Sequence, residues 1–196
     1  MNSVFVGAIR AFVFAAASIA VSAQAAPVTY EGTLVPGVTD SGNVGGFSLF
    51  LNQAGGVEFW SFTAAANESV TFAVNRLNGN LDPGLSFYRG TTSADGSLFN
   101  AGASWGGLTF VGSLDDEAPP FKTPGPNGDP FGSFAVTAGQ TYTVAIGGNL
   151  STDAGTYPYQ VKATVAAAVP EPSIYAMMSL GVAALAFTRR RLKKTS

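Results

Sequence analysis

The sequence predicts an all-β protein, a sandwich or jelly roll of about eight strands held between two apolar ends. Three observations predict it. Between residues 27 and 168, short runs alternate apolar and polar side chains, with no long helical period among them. Gly, Pro, Asn and Asp separate those runs, and the chain's 24 glycines and 12% aromatic residues suit a turn-rich β protein. Apolar, almost uncharged segments stand at the two termini, where they predict a signal helix before the domain and a single transmembrane helix after it.

The N-terminal segment is "MNSVFVGAIRAFVFAAASIAVSAQAAP". Arg10 precedes an apolar run from Ala11 to Val21, and Ala23-Gln24-Ala25 places small residues where a signal peptidase needs them. Residues 1–25 therefore read as a signal peptide that engages the secretion translocon. With one early charge, an uncleaved anchor is the alternative.

Residues 27–168 supply eight candidate strands: "GFSLFLN", "VEFWSF", "SVTFAVNRL", "LSFYRG", "GLTFVG", "FGSFAV", "TYTVAIGG" and "TYPYQVKATV". In the third, Val70, Phe72 and Val74 share a face. In the last, Tyr157, Tyr159, Val161, Ala163 and Val165 oppose Gln160, Lys162 and Thr164. "TAGQT" reads as a hairpin turn, with Gly139 free to take positive φ. "DDEAPPFKTPGPNGD", residues 115–129, holds four prolines and two glycines and must be a loop.

Composition excludes several chemistries. The chain has no histidine and no cysteine, so disulfides, Ser-His-Asp and Cys-His catalysis, and Cys/His zinc sites are ruled out. "GASWG", residues 102–106, has the Gly-x-Ser-x-Gly spacing of a nucleophile elbow, but Ser104 has no histidine to serve as its base. Eleven acids and four bases between residues 26 and 168 give the domain a net charge of −7, which disfavours nucleic acid as a partner. No cofactor is expected, with Ca²⁺ the one cation the residues suit. "NGNLD" and "DDE" offer the oxygen ligands it prefers, which nominates Asp82, Asp115 and Asp116. Solvated turns are the plainer reading of the same residues. Two carboxylates could also serve a hydrolase, although any acidic domain meets that test. Trp60, Trp105, Phe59, Tyr88 and Phe110 could line a sugar-binding face or fill the core; Trp105, between small residues, is expected to be partly exposed.

The C-terminal segment, residues 169–196, is the most specific part. Ser173 to Thr188 is a charge-free stretch of 16 residues, short of the ~20 of a full span but extendable by snorkelling arginines. Arg189, Arg190, Arg191, Lys193 and Lys194 follow it and would be retained in the cytoplasm, leaving the β domain outside. Before it stands Val169-Pro170-Glu171-Pro172, whose prolines disfavour helix and keep the backbone extended. A plain stop-transfer anchor would need only the helix and the arginines.

The three parts in this order resemble the PEP-CTERM sorting signal of Gram-negative bacteria. The resemblance implies an exosortase-type enzyme in the inner membrane that cuts near Pro-Glu-Pro, with the mature protein passing to the cell surface or an exopolysaccharide matrix. The domain itself, in "VEFWSFTAAANESVTF", "LDPGLSFYRG", "DDE" and "FAVTAGQTYTVAI", resembles the bacterial pre-peptidase C-terminal β-sandwich. That family implies the sandwich fold, and some of its members bind calcium. The chain thus reads as an exported, non-enzymatic surface or matrix protein. The alternatives are a secreted carbohydrate- or calcium-binding module or, further off, a carboxylate-dependent hydrolase.

Overall fold

The computed structural model describes residues 26–125 and 127–166. They form nine strands: β1 (Tyr30–Thr33), β2 (Thr39–Gly45), β3 (Glu58–Thr63), β4 (Glu68–Arg76), β5 (Pro83–Arg89), β6 (Thr109–Leu114), β7 (Phe131–Val136), β8 (Thr141–Gly148) and β9 (Thr156–Val165). One sheet has the order β1-β3-β8-β5-β6 and the other β2-β9-β4-β7. Strands β2 to β9 thus form two four-stranded sheets, β2-β9-β4-β7 and β3-β8-β5-β6, in the interleaved order of a jelly roll, with β5 and β6 the one consecutive pair in the same sheet, and β1 adds a parallel edge beside β3.

The period-2 patterns put their apolar faces between the sheets. Val70, Phe72 and Val74 of β4 are fully buried, as are Tyr159 and Val161 of β9. Phe87 of β5 stacks on Tyr142 of β8 at 4.9 Å and on Phe134 of β7 at 4.7 Å, so rings from both sheets interlock. With no disulfide available, this packing carries the fold.

A second apolar cluster lies on the outer side of the five-stranded sheet. Phe59, Tyr88, Phe99, Trp105 and Leu108 meet there, beneath the segments joining β2 to β3 and β5 to β6. The central strands β5 and β8 are therefore covered on both faces. Pro83 to Tyr88 is buried without interruption, which is why the alternation fades in that strand.

A polar clamp ties the sheets together. Trp60 of β3 donates from Nε1 to the Tyr159 hydroxyl of β9 at 2.7 Å, and that hydroxyl donates to Glu58 Oε2 at 2.6 Å. Glu58 Oε1 accepts the Asn43 backbone N–H of β2 at 2.8 Å. Burial, and then the bond to Glu58, push the Tyr159 hydroxyl far above its ordinary pKa. Gly42 makes room for this carboxylate, since a Cβ there would lie 1.7 Å from Glu58 Oε2.

Several expectations are corrected. "GFSLFLN" is not a strand: Leu51 N–H bonds Phe47 O and Gln53 N–H bonds Ser48 O, winding the chain into successive turns. Asn52 completes them at a φ of 54°. Residues 137–140 do form a tight turn with Gly139 at φ 72°, but β7 and β8 belong to different sheets, so the turn is an arch and not a hairpin. Trp105 is 7% exposed, because Phe59, Phe99 and Tyr88 pack around its ring. Trp60, Phe59 and Tyr88 are likewise core, which removes the proposed aromatic sugar face. The expected signal helix (1–25) and transmembrane helix (173–188) lie outside the described residues. Among the described residues, no helix is long and apolar enough to cross a membrane.

Candidate functional site

The start of β5 and the end of β6 meet because the two strands pair antiparallel with Leu85 opposite Leu114. Asp82, just before β5, therefore comes beside Asp115 and Asp116, just after β6. One carboxylate oxygen from each lies within 4.8 Å of the others. The structure thus brings all three nominated acids together. Asp82 is 1% exposed, Asp115 is half-buried and Asp116 is exposed.

Neighbouring loops hold the three in place. Asn127 Nδ2 donates to Asp82 Oδ2 at 2.8 Å, and Asn149 Nδ2 donates to Asp115 Oδ2 at 2.7 Å. The Gly128 N–H donates to Asp116 Oδ1 at 2.8 Å. Asp82 Oδ1 and Asp115 Oδ1 are buried and have no hydrogen-bond partner. Arg76 Nη2 stands 3.8 Å from Asp82 Oδ1, a charge contact longer than a hydrogen bond.

Arg76 and Asp129 form the base of the site. Both side chains are fully buried, with Nε and Oδ1 at 2.7 Å. Arg76 also donates to Gly128 O, and Asp129 Oδ2 accepts the Phe121 N–H at 3.0 Å. The proline-rich loop is thereby fastened to β4. Burial pushes Asp115 up to about 6, with the Asp116 and Asp82 charges adding to the shift. Asp82 is raised chiefly by burial, while its bond from Asn127 opposes the rise. Two buried oxygens without a hydrogen bond and upward shifts describe a cluster whose negative charge Arg76 alone does not offset.

Beside this cluster opens a cleft of about 380 Å³. Gly84 and Ser86 of β5 and Ser113 of β6 contribute to its lining, as do Leu49, Phe50 and Asn52 from the turns after β2. Asn100 to Gly102, Leu114 and Asn149 complete it, together with Asp115, the one acid that lines it. A Cβ on Gly84 would come within 2.7 Å of Leu49 Cδ2 and 3.8 Å of Asp115 Oδ1, so glycine keeps this side of the cleft open.

Sequence reasoning missed Arg76, Asn127, Asp129 and Asn149. Their signal was weak: a cation ending a strand that also carries Glu68, Ser69, Thr71 and Asn75, and Asn or Asp in turns. Val169, Pro170, Glu171, Pro172 and the basic cluster from Arg189 to Lys194 lie outside the described residues.

Comparison with known proteins bears on the two parts separately. Residues 168–191 match the PEP-CTERM protein-sorting motif. No curated protein matches the chain. Among solved structures, the chain is similar to CorA, a surface-associated copper-binding protein of Methylomicrobium album BG8: identity is 12%, the TM-score 0.50, and 70% of this chain and 98% of that one are covered. It is similar to the pre-peptidase C-terminal domain of a Bacillus anthracis collagenase at 10% identity and TM-score 0.42, covering 70% and 98%. It is also similar to PliG, a periplasmic inhibitor of g-type lysozyme from Aeromonas hydrophila, at 16% identity and TM-score 0.39, covering 70% and 100%. At such identities the likeness concerns the fold alone.

Proposed function

We propose that this chain is an exported, non-enzymatic protein of the cell surface or extracellular matrix. In this reading residues 1–25 are removed on export, 27–168 are the outer module and 169–196 are the address. The observation that carries it is the PEP-CTERM motif at residues 168–191. An exosortase-type enzyme cuts near Pro170-Glu171-Pro172 while Arg189 to Lys194 hold the C-terminus inside. Replacing Pro170, Glu171 and Pro172 by alanine in the native host tests this. The variant should accumulate uncut in the inner membrane while the parent leaves it. Mass spectrometry that finds Ser196 intact on the parent's exported form would make the tail a plain anchor.

The non-enzymatic reading draws on the site's chemistry. The sequence has neither histidine nor cysteine, and Asp115 is alone among the acids in lining the cleft. Glycoside hydrolysis needs two carboxylates flanking one bond.

The outer module reads as a cation-binding one, with Ca²⁺ at Asp82, Asp115 and Asp116. The buried Oδ1 atoms of Asp82 and Asp115 support it: neither accepts a hydrogen bond, and a cation would coordinate both. All three donors are hard oxygens, and the described residues contain no Cys, His or Met. That set favours Ca²⁺ over copper, so the ligand of the fold's copper-binding relative is not carried over. Calorimetric titration with Ca²⁺ and with Cu²⁺ tests the choice. Heat from copper alone would overturn it.

A further inference from the structure

The cleft beside Asp115 carries polar groups that the fold leaves unused. Asn52 Oδ1 accepts the Ala101 N–H and Asn100 Oδ1 accepts the Gly102 N–H, so both amides are oriented by the backbone. Their Nδ2 groups have no partner among the described residues, and neither does the Ser113 hydroxyl. Asn149 gives Nδ2 to Asp115, which leaves its Oδ1 unpaired as an acceptor. Asp115 Oδ1 is buried and unpaired. At the rim, Phe50 is 55% exposed although it is aromatic.

These features select a ligand class. No Lys or Arg lines the cleft, and its one charge is negative, which disfavours phosphates and acidic sugars. The groups are donors and acceptors at fixed spacing around an open hollow, beside an exposed ring. Hydroxyl-bearing rings present both faces of that chemistry: O–H groups at the edge and C–H groups on the flat. The electron-rich face of an aromatic ring attracts such C–H groups. Peptides add to strand edges chiefly through main-chain bonds, whereas the groups left open in this hollow are side-chain amides, a hydroxyl and a carboxylate.

We propose that this cleft binds an uncharged glycan, with one sugar ring stacked on Phe50 and its hydroxyls bonded by Asn52, Asn100, Ser113, Asn149 and Asp115. The inference deepens the binding-module part of the proposed function and rests on it. Asp115 belongs to both the cleft and the acid cluster, so a cation held there would fix the carboxylate at the cleft wall.

The test uses the full chain in a zwitterionic, sugar-free detergent on an array of neutral hexose, pentose and N-acetylhexosamine oligosaccharides, with uronic-acid oligosaccharides and peptides as other classes. Retention of one or more neutral glycans is expected. Phe50→Ala should weaken the best of them roughly tenfold by calorimetry. Asn100→Ala should weaken it as well, while Leu98→Ala, an exposed apolar change away from the cleft, should not. Unchanged melting temperatures would show that the variants fold. Retention of no neutral glycan, preference for peptides or acidic sugars, or equal binding by Phe50→Ala would overturn the inference. Export and tail cleavage are scored in the same strains. A processed protein that binds no glycan defeats this inference alone, and an unprocessed one that binds glycan defeats the sorting reading alone.

Discussion

Arg76 and Asp129 form an ion pair at 2.7 Å with no exposed side-chain surface on either partner. They are 53 residues apart in the chain, and the contact fastens the loop before β7 to the end of β4. Removing Asp129 takes the 2.7 Å partner from a buried guanidinium and leaves it the longer Asp82 contact. Asp129→Ala should destabilise the protein by about 3–5 kcal/mol, read from the midpoint of urea unfolding. It should also weaken cation binding, because Gly128 and Asn127 orient two of the three acids. Full stability in this variant would mean that the loop has another attachment.

Calcium should raise the melting temperature at millimolar concentration, as any ligand confined to the folded state does. Asp115→Asn gives a sharper test. Without metal it should melt a few degrees higher than the parent at pH 7, because it removes a charge opposed by burial and by the Asp116, Asp82 and Glu117 charges. With calcium the order should reverse. A variant that loses stability in both conditions would assign Asp115 a structural role.

The same raised acid fixes the sign of the pH dependence. Asp115 titrates near 6 in the folded chain and near its ordinary 3.8 when unfolded. The folded state therefore binds more protons between those values, and stability falls as pH rises. Metal-free protein should show a melting temperature that declines from about pH 4 to about pH 6. Saturating calcium should flatten or invert that slope. Thermal melts in chelator-treated buffers across the range decide it.

The clamp between the sheets makes a further prediction. Tyr159→Phe removes the hydroxyl that joins Trp60 to Glu58 and leaves a buried indole N–H without its acceptor. The cost should be about 1–3 kcal/mol, measured by denaturant unfolding. Glycan and calcium binding should persist, since Trp60, Tyr159 and Glu58 neither line the cleft nor belong to the acid cluster, although Tyr159 lies opposite Arg76 in the β4–β9 pair. A near-neutral result would show that water replaces the hydroxyl.

Strands with strict alternation were legible from sequence. β4 and β9 each have one face toward the core, and Val70, Phe72 and Val74 record it. β2 was not legible, because "TDSGNVG" consists largely of residues that strands disfavour. Its place is set by pairing with β9 and by the Glu58 carboxylate lying over Gly42, both distant in sequence. "GFSLFLN" misled in the opposite direction. Its apolar residues serve a loop, with Leu49 turned inward and Phe50 and Leu51 left outside.

The acid cluster was partly legible for a related reason. Asp82 and the Asp115-Asp116 pair flank strands that could be read, so they had to fall at strand ends. That β5 and β6 are neighbours, and in which register, depends on the whole sheet. Arg76 falls on the same alternating face as Val70, Phe72 and Val74, but nothing in "AVNRL" indicates which acid meets its charge there. The loop folding back over it supplies its partners, Asp129 and the Gly128 carbonyl.

The place of β9 in its sheet has a consequence for timing. The last strand lies between β2 and β4, and the two never pair directly. A chain that crosses a membrane N-terminus first holds those two strands without their shared neighbour until Thr156–Val165 has emerged. Long-range pairing of this kind is slow to nucleate from an incomplete chain. The residues that follow at once are those of the sorting motif, beginning at position 168. Under the proposed route of export, the strand that completes the sheet would therefore emerge just ahead of the address. A truncated chain would have neither.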